Sequence, residues 1–207
     1  MSDADVRATE RTEVRAGEAA VLVIDVQAGL FDGLVDSVPP PHEGLAVIER
    51  INALTGRARA ASVPVVLIQH ERAEGFLAHG SASWQLQPRL VAADNDLRLR
   101  KATPDSFLRT DLAERLAAWG TRTLVVCGYA TEFCIDTTVR RAAALGFDIV
   151  LASDAHTTSD KPHANGAQIR AHHNATLPWL TSFGRRIVAV PSDSLVFASA
   201  TAEVRPQ

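Results

Sequence analysis

The chain has 207 residues, 46% of them hydrophobic and 22% charged, which suits one globular domain with a full core. A formal charge of −3, a pI near 6.2 and the lack of any Lys/Arg block exclude a surface built for nucleic acid or another polyanion. No apolar run reaches the ~20 residues of a membrane span, the polar opening MSDADVRATERTEVRAGE lacks the core of a signal peptide, and two cysteines make no disulfide framework, so a cytoplasmic protein is expected.

Residues 1–18 read as a flexible N-terminal segment, and residues 19–207 as a single domain. The first strand is the apolar run Ala20 to Ile24, and Asp25 stands at its carboxyl end. A loop with VPPP follows to His42, and then a helix over 43–61 that places Leu45, Ile48, Ile51 and Leu54 on one face. VPVVLIQ at 63–69 is the second strand. Residues 70–96 form a long stretch broken by Gly75, Gly80 and Pro88, and loops of that length are commonly functional. LRLRK at 97–101 is a third strand ending at Lys101, and a helix is expected over 106–119.

The next run, Thr123 to Cys127, is a β-branched strand closed by Gly128, and helical spacing resumes at Thr131 and stops at Gly146. Cys127 falls inside the apolar strand and reads as core. Cys134 falls in the first turn of the helix, where unpaired N–H groups and the helix dipole favour an anion and should lower a thiol's pKa. FDIVLA at 147–152, a helix near 164–182 and RIVAV at 186–190 complete the order, with the last residues as a tail.

Strands alternating with helices predict an α/β fold: a three-layer doubly wound sandwich with a six-stranded, mainly parallel sheet and helices on both faces. Ligands of such folds bind outside the carboxyl ends of the strands where strand order reverses. Asp25, Lys101 and Cys134 all lie at or just beyond strand ends. A thiol nucleophile needs a base, a cation and N–H donors for the oxyanion, and these three residues with the turn at 130–134 offer that set.

Several stretches resemble the isochorismatase-like cysteine hydrolases, which include nicotinamidases and N-carbamoylsarcosine amidohydrolases. They are VLVIDVQAGL at 21–30, SWQLQPRL at 83–90, RKATPDSF at 100–107, GYATEFCIDTTVRRAAALGFDIVLASDA at 128–155 and HHNATL at 172–177. The resemblance implies Asp25 as general base, Lys101 as catalytic lysine and Cys134 as nucleophile, with the N–H groups of Ala130 and Cys134 as oxyanion hole. It also implies a cis peptide between Tyr129 and Ala130. Expected pocket residues are Gln27, His70, Trp84 and Tyr129. Nicotinamidases carry a metal-binding DxH after the second strand, where this chain has His70 and Arg72, so no metal and no cofactor are expected. His156, His172, His173 and Asn174 suggest a metal cluster by composition only, and packing is the better reading.

The expected activity is cleavage of a C–N bond in a small carboxamide, lactam or ureido compound through a thioester. The expected partners are that small molecule and further copies of the chain, as a dimer or tetramer. The competing reading is a catalytically silent binding or assembly module of the same fold. A nucleotide-binding role is disfavoured, because DVQAGLFDG after the first strand is no glycine-rich phosphate loop.

Overall fold

A computed structural model describes residues 11–32 and 39–199. Eight strands and five α-helices follow in order: β1 (Thr12–Arg15), β2 (Ala19–Ile24), α1 (Ala28–Phe31), α2 (Gly44–Ala60), β3 (Val65–His70), β4 (Leu97–Lys101), α3 (Leu112–Ala118), β5 (Thr123–Tyr129), α4 (Asp136–Ala144), β6 (Asp148–Thr157), α5 (Gly166–Thr176), β7 (Ile187–Val190) and β8 (Leu195–Ala198). The main sheet runs β4-β3-β2-β5-β6-β7 and every pairing in it is parallel. The chain winds outward from β2 through β3 to β4, returns to the middle, and winds the other way from β5. Strand order therefore reverses between β2 and β5, and the crevice at their carboxyl ends is the switch point of the fold.

β2 shows why the sheet is central. All six of its residues are buried, which is how a parallel strand covered on both faces reads as one unbroken apolar run. Val21 and Val23 join Val47, Ile48, Ile51 and Leu54 of α2 in one core. Leu22 and Ile24 join Leu112 and Leu116 of α3 and Val139 and Ala142 of α4 in the other. These are the two interfaces of a three-layer α/β sandwich.

Several expectations change, and the loop expected after the first strand opens with the short helix α1. Thr12–Arg15, placed by sequence in the flexible segment, pairs in parallel with β8 as a separate two-stranded sheet, and Val14 is buried there. Residues 1–10, the 33–38 part of the loop after β2 and the tail from 200 lie outside the described residues. The helix expected over 106–119 is shortened to α3, because side chains capture the backbone before it: Asp105 Oδ1 accepts the Phe107 N–H and Thr110 Oγ1 donates to Ser106 O. The helix near 164–182 starts from an Asn165–Gln168 capping box and ends at Thr176, just ahead of Pro178. The helix from Thr131 opens with a π-turn over Thr131–Ile135 before α4 begins.

Candidate active site

The carboxyl ends of β2, β3, β4 and β5 converge. Asp25 leaves β2 with φ of 54°, a left-handed conformation that Asp tolerates better than most residues, and its N–H is held by Ile68 O at 2.8 Å. Lys101 ends β4 directly opposite His70 at the end of β3. Its Nζ donates to Asp25 Oδ2 at 2.7 Å and to Cys134 Sγ at 3.2 Å, with Asp25 at 1% exposure and Lys101 at 2%. Two further acceptors reach the same ammonium, His70 Nδ1 at 3.2 Å and Thr103 O at 3.2 Å. Asp25 Oδ1 is buried and accepts no hydrogen bond.

The electrostatics of the thiol reverse the sequence expectation. Burial pushes Cys134 up to about 12, with the Asp25 carboxylate adding to it and Lys101 opposing. Cys134 thus rests as a thiol, beside a carboxylate that can take its proton. Burial also works against the Lys101 charge, but Asp25 and Cys134 hold its pKa above the ordinary value. Burial and then the nearby ammonium lower His70, so its imidazole is neutral near pH 7. Among the described residues, Asp25, His70 and Cys134 are the one His/Cys/Asp/Glu group whose donor atoms lie within 4.8 Å of one another. The Lys101 ammonium already places a positive charge among them.

The turn that carries Cys134 has its own scaffold. The Tyr129–Ala130 peptide is cis. Ala130 O accepts the N–H groups of Phe133 and Ile135 at 3.1 Å each, and the Cys134 N–H between them makes no bond to it. Behind the turn, Thr131 Oγ1 meets His156 Nδ1 at 2.8 Å, and His156 Nε2 meets Asn174 Oδ1 at 2.9 Å. Because Asn174 Nδ2 donates to Ser153 O, its Oδ1 faces the imidazole, so Nε2 carries the hydrogen and Nδ1 accepts from Thr131. His156 and Asn174 therefore brace the turn, while the His172 and His173 rings meet edge to face on α5. Sequence marked His156 only by composition. Its partner Thr131 was marked only as the start of the helical pattern, with nothing to signal this contact.

Burial lowers His156 to about 4, against 6.5 for a free imidazole. The unfolded chain takes up this proton below about pH 6.5 and the folded one resists it. The resulting stability is complete above pH 6.5 and is lost as pH falls towards 4, about 3 kcal/mol in all. Urea unfolding midpoints measured from pH 7.5 to 4.5 should fall more steeply for wild type than for His156→Gln. Equal slopes would show that His156 is not held neutral.

The pocket residues expected from sequence divide. His70 is at the site. Gln27 is fully buried and both ends of its amide are spent on backbone: Oε1 accepts His70 N–H at 2.8 Å, and Nε2 donates to His70 O at 3.0 Å and Trp84 O at 2.8 Å. It faces the chain, not a ligand. Trp84 packs edge-on against His79 and lines a cavity of about 420 Å³ with Gln69, Gln87 and Arg98, none of whose walls is Asp25, Lys101 or Cys134. The Tyr129 ring packs on Phe31, and its hydroxyl meets Ser159 Oγ at 3.3 Å.

Gly128, just before this turn, pairs with Ile24 and faces its main chain with no room for a side chain. A Cβ there would lie 2.1 Å from Ile24 O, and its φ of +120° excludes L side chains. The pairing of β5 with β6 shifts register at the same place, between Val126 and Gly128.

A family model, the isochorismatase domain, matches residues 19–180. A streptothricin hydrolase of Streptomyces noursei is 37% identical over 146 residues, 70% of this chain and 51% of that protein. A ureidoacrylate amidohydrolase, RutB of Variovorax paradoxus, is 32% identical over 146 residues, 70% of this chain and 53% of that protein. The chain thus spans about half the length of these curated relatives. A crystal structure of an isochorismatase family protein superposes with a TM-score of 0.73 at 32% identity, covering 84% of this chain and 98% of that one. With the domain model matching most of its length, this chain belongs to the isochorismatase family.

Proposed function

We propose that the chain is a cysteine-dependent hydrolase that cleaves a C–N bond of a small carboxamide, lactam or ureido compound. The observation that carries the reading is the buried Asp25–Lys101–Cys134 contact at the switch point, with one carboxylate oxygen of Asp25 held by the ammonium and the other unpartnered. The names of the streptothricin and ureidoacrylate hydrolases support C–N chemistry.

In this mechanism Asp25 takes the Cys134 proton as sulfur attacks the carbonyl carbon. The oxyanion rests on the N–H groups of Ala130 and Cys134. Asp25 then protonates the leaving nitrogen as the C–N bond breaks, leaving a thioester. Water gives a proton to Asp25 and its hydroxyl to the thioester carbon, and Cys134 leaves as a thiol again once Asp25 returns the proton. Lys101 holds Asp25 by its Oδ2 and stabilises sulfur while it carries charge.

The test is a panel of small primary amides, lactams and ureides, read by release of ammonia or amine, together with acid-quenched mass spectrometry of the peptide that carries Cys134. The expected result is turnover of one class, with an acyl adduct on Cys134 and no turnover by Cys134→Ala. Full activity of that variant would remove the nucleophile from the mechanism. An intact fold with no turnover of any class would favour the silent binding module.

A further inference from the structure

The Lys101 ammonium has three hydrogens, and four acceptors lie within hydrogen-bond reach of it: Asp25 Oδ2 at 2.7 Å and Thr103 O, His70 Nδ1 and Cys134 Sγ at 3.2 Å each. Asp25 has the shortest contact and opposite charge, and the Thr103 carbonyl belongs to the chain two residues away. One N–H is left for two acceptors. The geometry points to His70 as a positioning residue that competes with Cys134 for the third Lys101 hydrogen, holding it while sulfur is neutral and yielding it when sulfur is charged.

Three observations support this assignment. The first is placement: His70 is directly opposite Lys101 in the β3–β4 register, so the two side chains leave the sheet side by side. The second is rigidity, because the Gln27 amide grips both the N–H and the C=O of His70. A backbone held at both groups fixes the imidazole relative to the ammonium, which a solvated surface histidine would not need. The third is tautomer. An ammonium can only donate, so Nδ1 must be unprotonated and the ring hydrogen must sit on Nε2. The charged groups facing the pair are Asp25 from β2, Lys101 from β4, and Glu71 and Arg72 next to His70; Tyr129 from β5 faces Cys134.

The arrangement has a chemical purpose within the mechanism proposed above, on which its catalytic meaning rests. In the resting thiol and in the thioester, sulfur is a poor acceptor, and an N–H pointed at it would be a buried donor without a partner. His70 accepts that hydrogen in both states. When the thiolate forms, the charge-assisted N–H to sulfur is the stronger bond and the ammonium turns to it. His70 thus tempers the acidity of Cys134 and limits its reactivity between turnovers.

The experiment needs no substrate, so its outcome is separate from that of the amide panel. The pH dependence of Cys134 alkylation by iodoacetamide, resolved by peptide mass spectrometry, is measured in wild type, His70→Leu, His70→Asn, Lys101→Met and the double variant His70→Leu/Lys101→Met. With the competitor removed, His70→Leu should shift the labelling curve down by about one pH unit, about tenfold faster labelling at pH 8. His70→Asn, whose amide oxygen can accept the same hydrogen, should return most of that shift. In the Lys101→Met background, His70→Leu should change nothing. A shift that persists without Lys101, or no shift with it, overturns the proposal. If His70→Leu does not fold, imidazole 15N shifts of the wild-type protein decide: Nδ1 unprotonated is required, and an Nδ1–H tautomer overturns it.

Discussion

Under the proposed mechanism, replacing Asp25 by Asn should leave a protein that is dead in turnover and yet more reactive towards an alkylating agent. Asn keeps a carbonyl oxygen for the Lys101 contact, which is 2.7 Å long in the native site, so the variant should fold. It cannot accept the thiol proton or return one to the leaving nitrogen. Loss of a general acid–base commonly costs 10²–10⁴ in rate, and a residue serving both halves of the cycle belongs at the upper end, so kcat should fall about 10³-fold or more. The thiol should move the other way. After burial, the Asp25 carboxylate is the largest influence raising Cys134, and Lys101 opposes it. Without that carboxylate the ammonium acts on sulfur unopposed and the thiolate becomes easier to form. Iodoacetamide labelling below pH 9 should therefore be faster than in wild type. Slower labelling would mean that Asp25 activates the thiol at rest, and unchanged turnover would exclude it as the base.

Gly128→Ala should cost more stability than any single truncation in the core. The new methyl would stand 2.1 Å from Ile24 O and 2.7 Å from Ile24 N, both main-chain atoms of the central strand, so no side chain can swing aside to admit it. The φ of +120° adds strain that alanine cannot relieve. A loss of about 4 kcal/mol or more is expected, at the extreme of single substitutions, and the soluble yield should fall with it. Any folded fraction should also be impaired in activity, because Ile24 immediately precedes Asp25 and the two strands can separate only by moving that carboxylate. Urea unfolding checks the first part, and activity per folded molecule the second. A midpoint close to wild type would mean that β5 does not approach β2 as closely as described.

The main sheet was readable because its strands are buried on both faces: Ala20–Ile24 and Thr123–Cys127 are unbroken apolar runs, and nothing in their neighbours competes with that pattern. Asp25, Lys101 and Cys134 were readable as a group because fold and strand ends together imply one crevice. What escaped had physical causes. β1 and β8 are four residues each, too short for periodicity, and their pairing is set by tertiary contact. The first turns of the expected helix at 106–119 were lost to side chains that bond the backbone locally, a competition that propensity does not weigh. The Cys134 thiol was misjudged because the helix-terminus argument counts local dipoles and omits desolvation, and at 9% exposure desolvation decides. Gln27 and Trp84 were placed in the pocket by proximity in sequence to Asp25 and to a long loop. Only the side-chain directions show that one serves the backbone and the other a separate cavity.

The grip of Gln27 on His70 and on the residue-84 carbonyl has a consequence for how such a protein can be altered. Every atom it holds is main chain, so the side chains of residues 71–83 are left out of the contact that fixes the end of β3. The return of that segment is itself held by its side chains: Ser81 Oγ accepts the Trp84 N–H at 3.3 Å and His79 packs edge-on against the Trp84 ring, so a replacement segment has to supply both supports along with the carbonyl. A redesigned segment that keeps these supports leaves His70 and Lys101 where the sheet put them, because Gln27 and the β3–β4 pairing hold them through main chain.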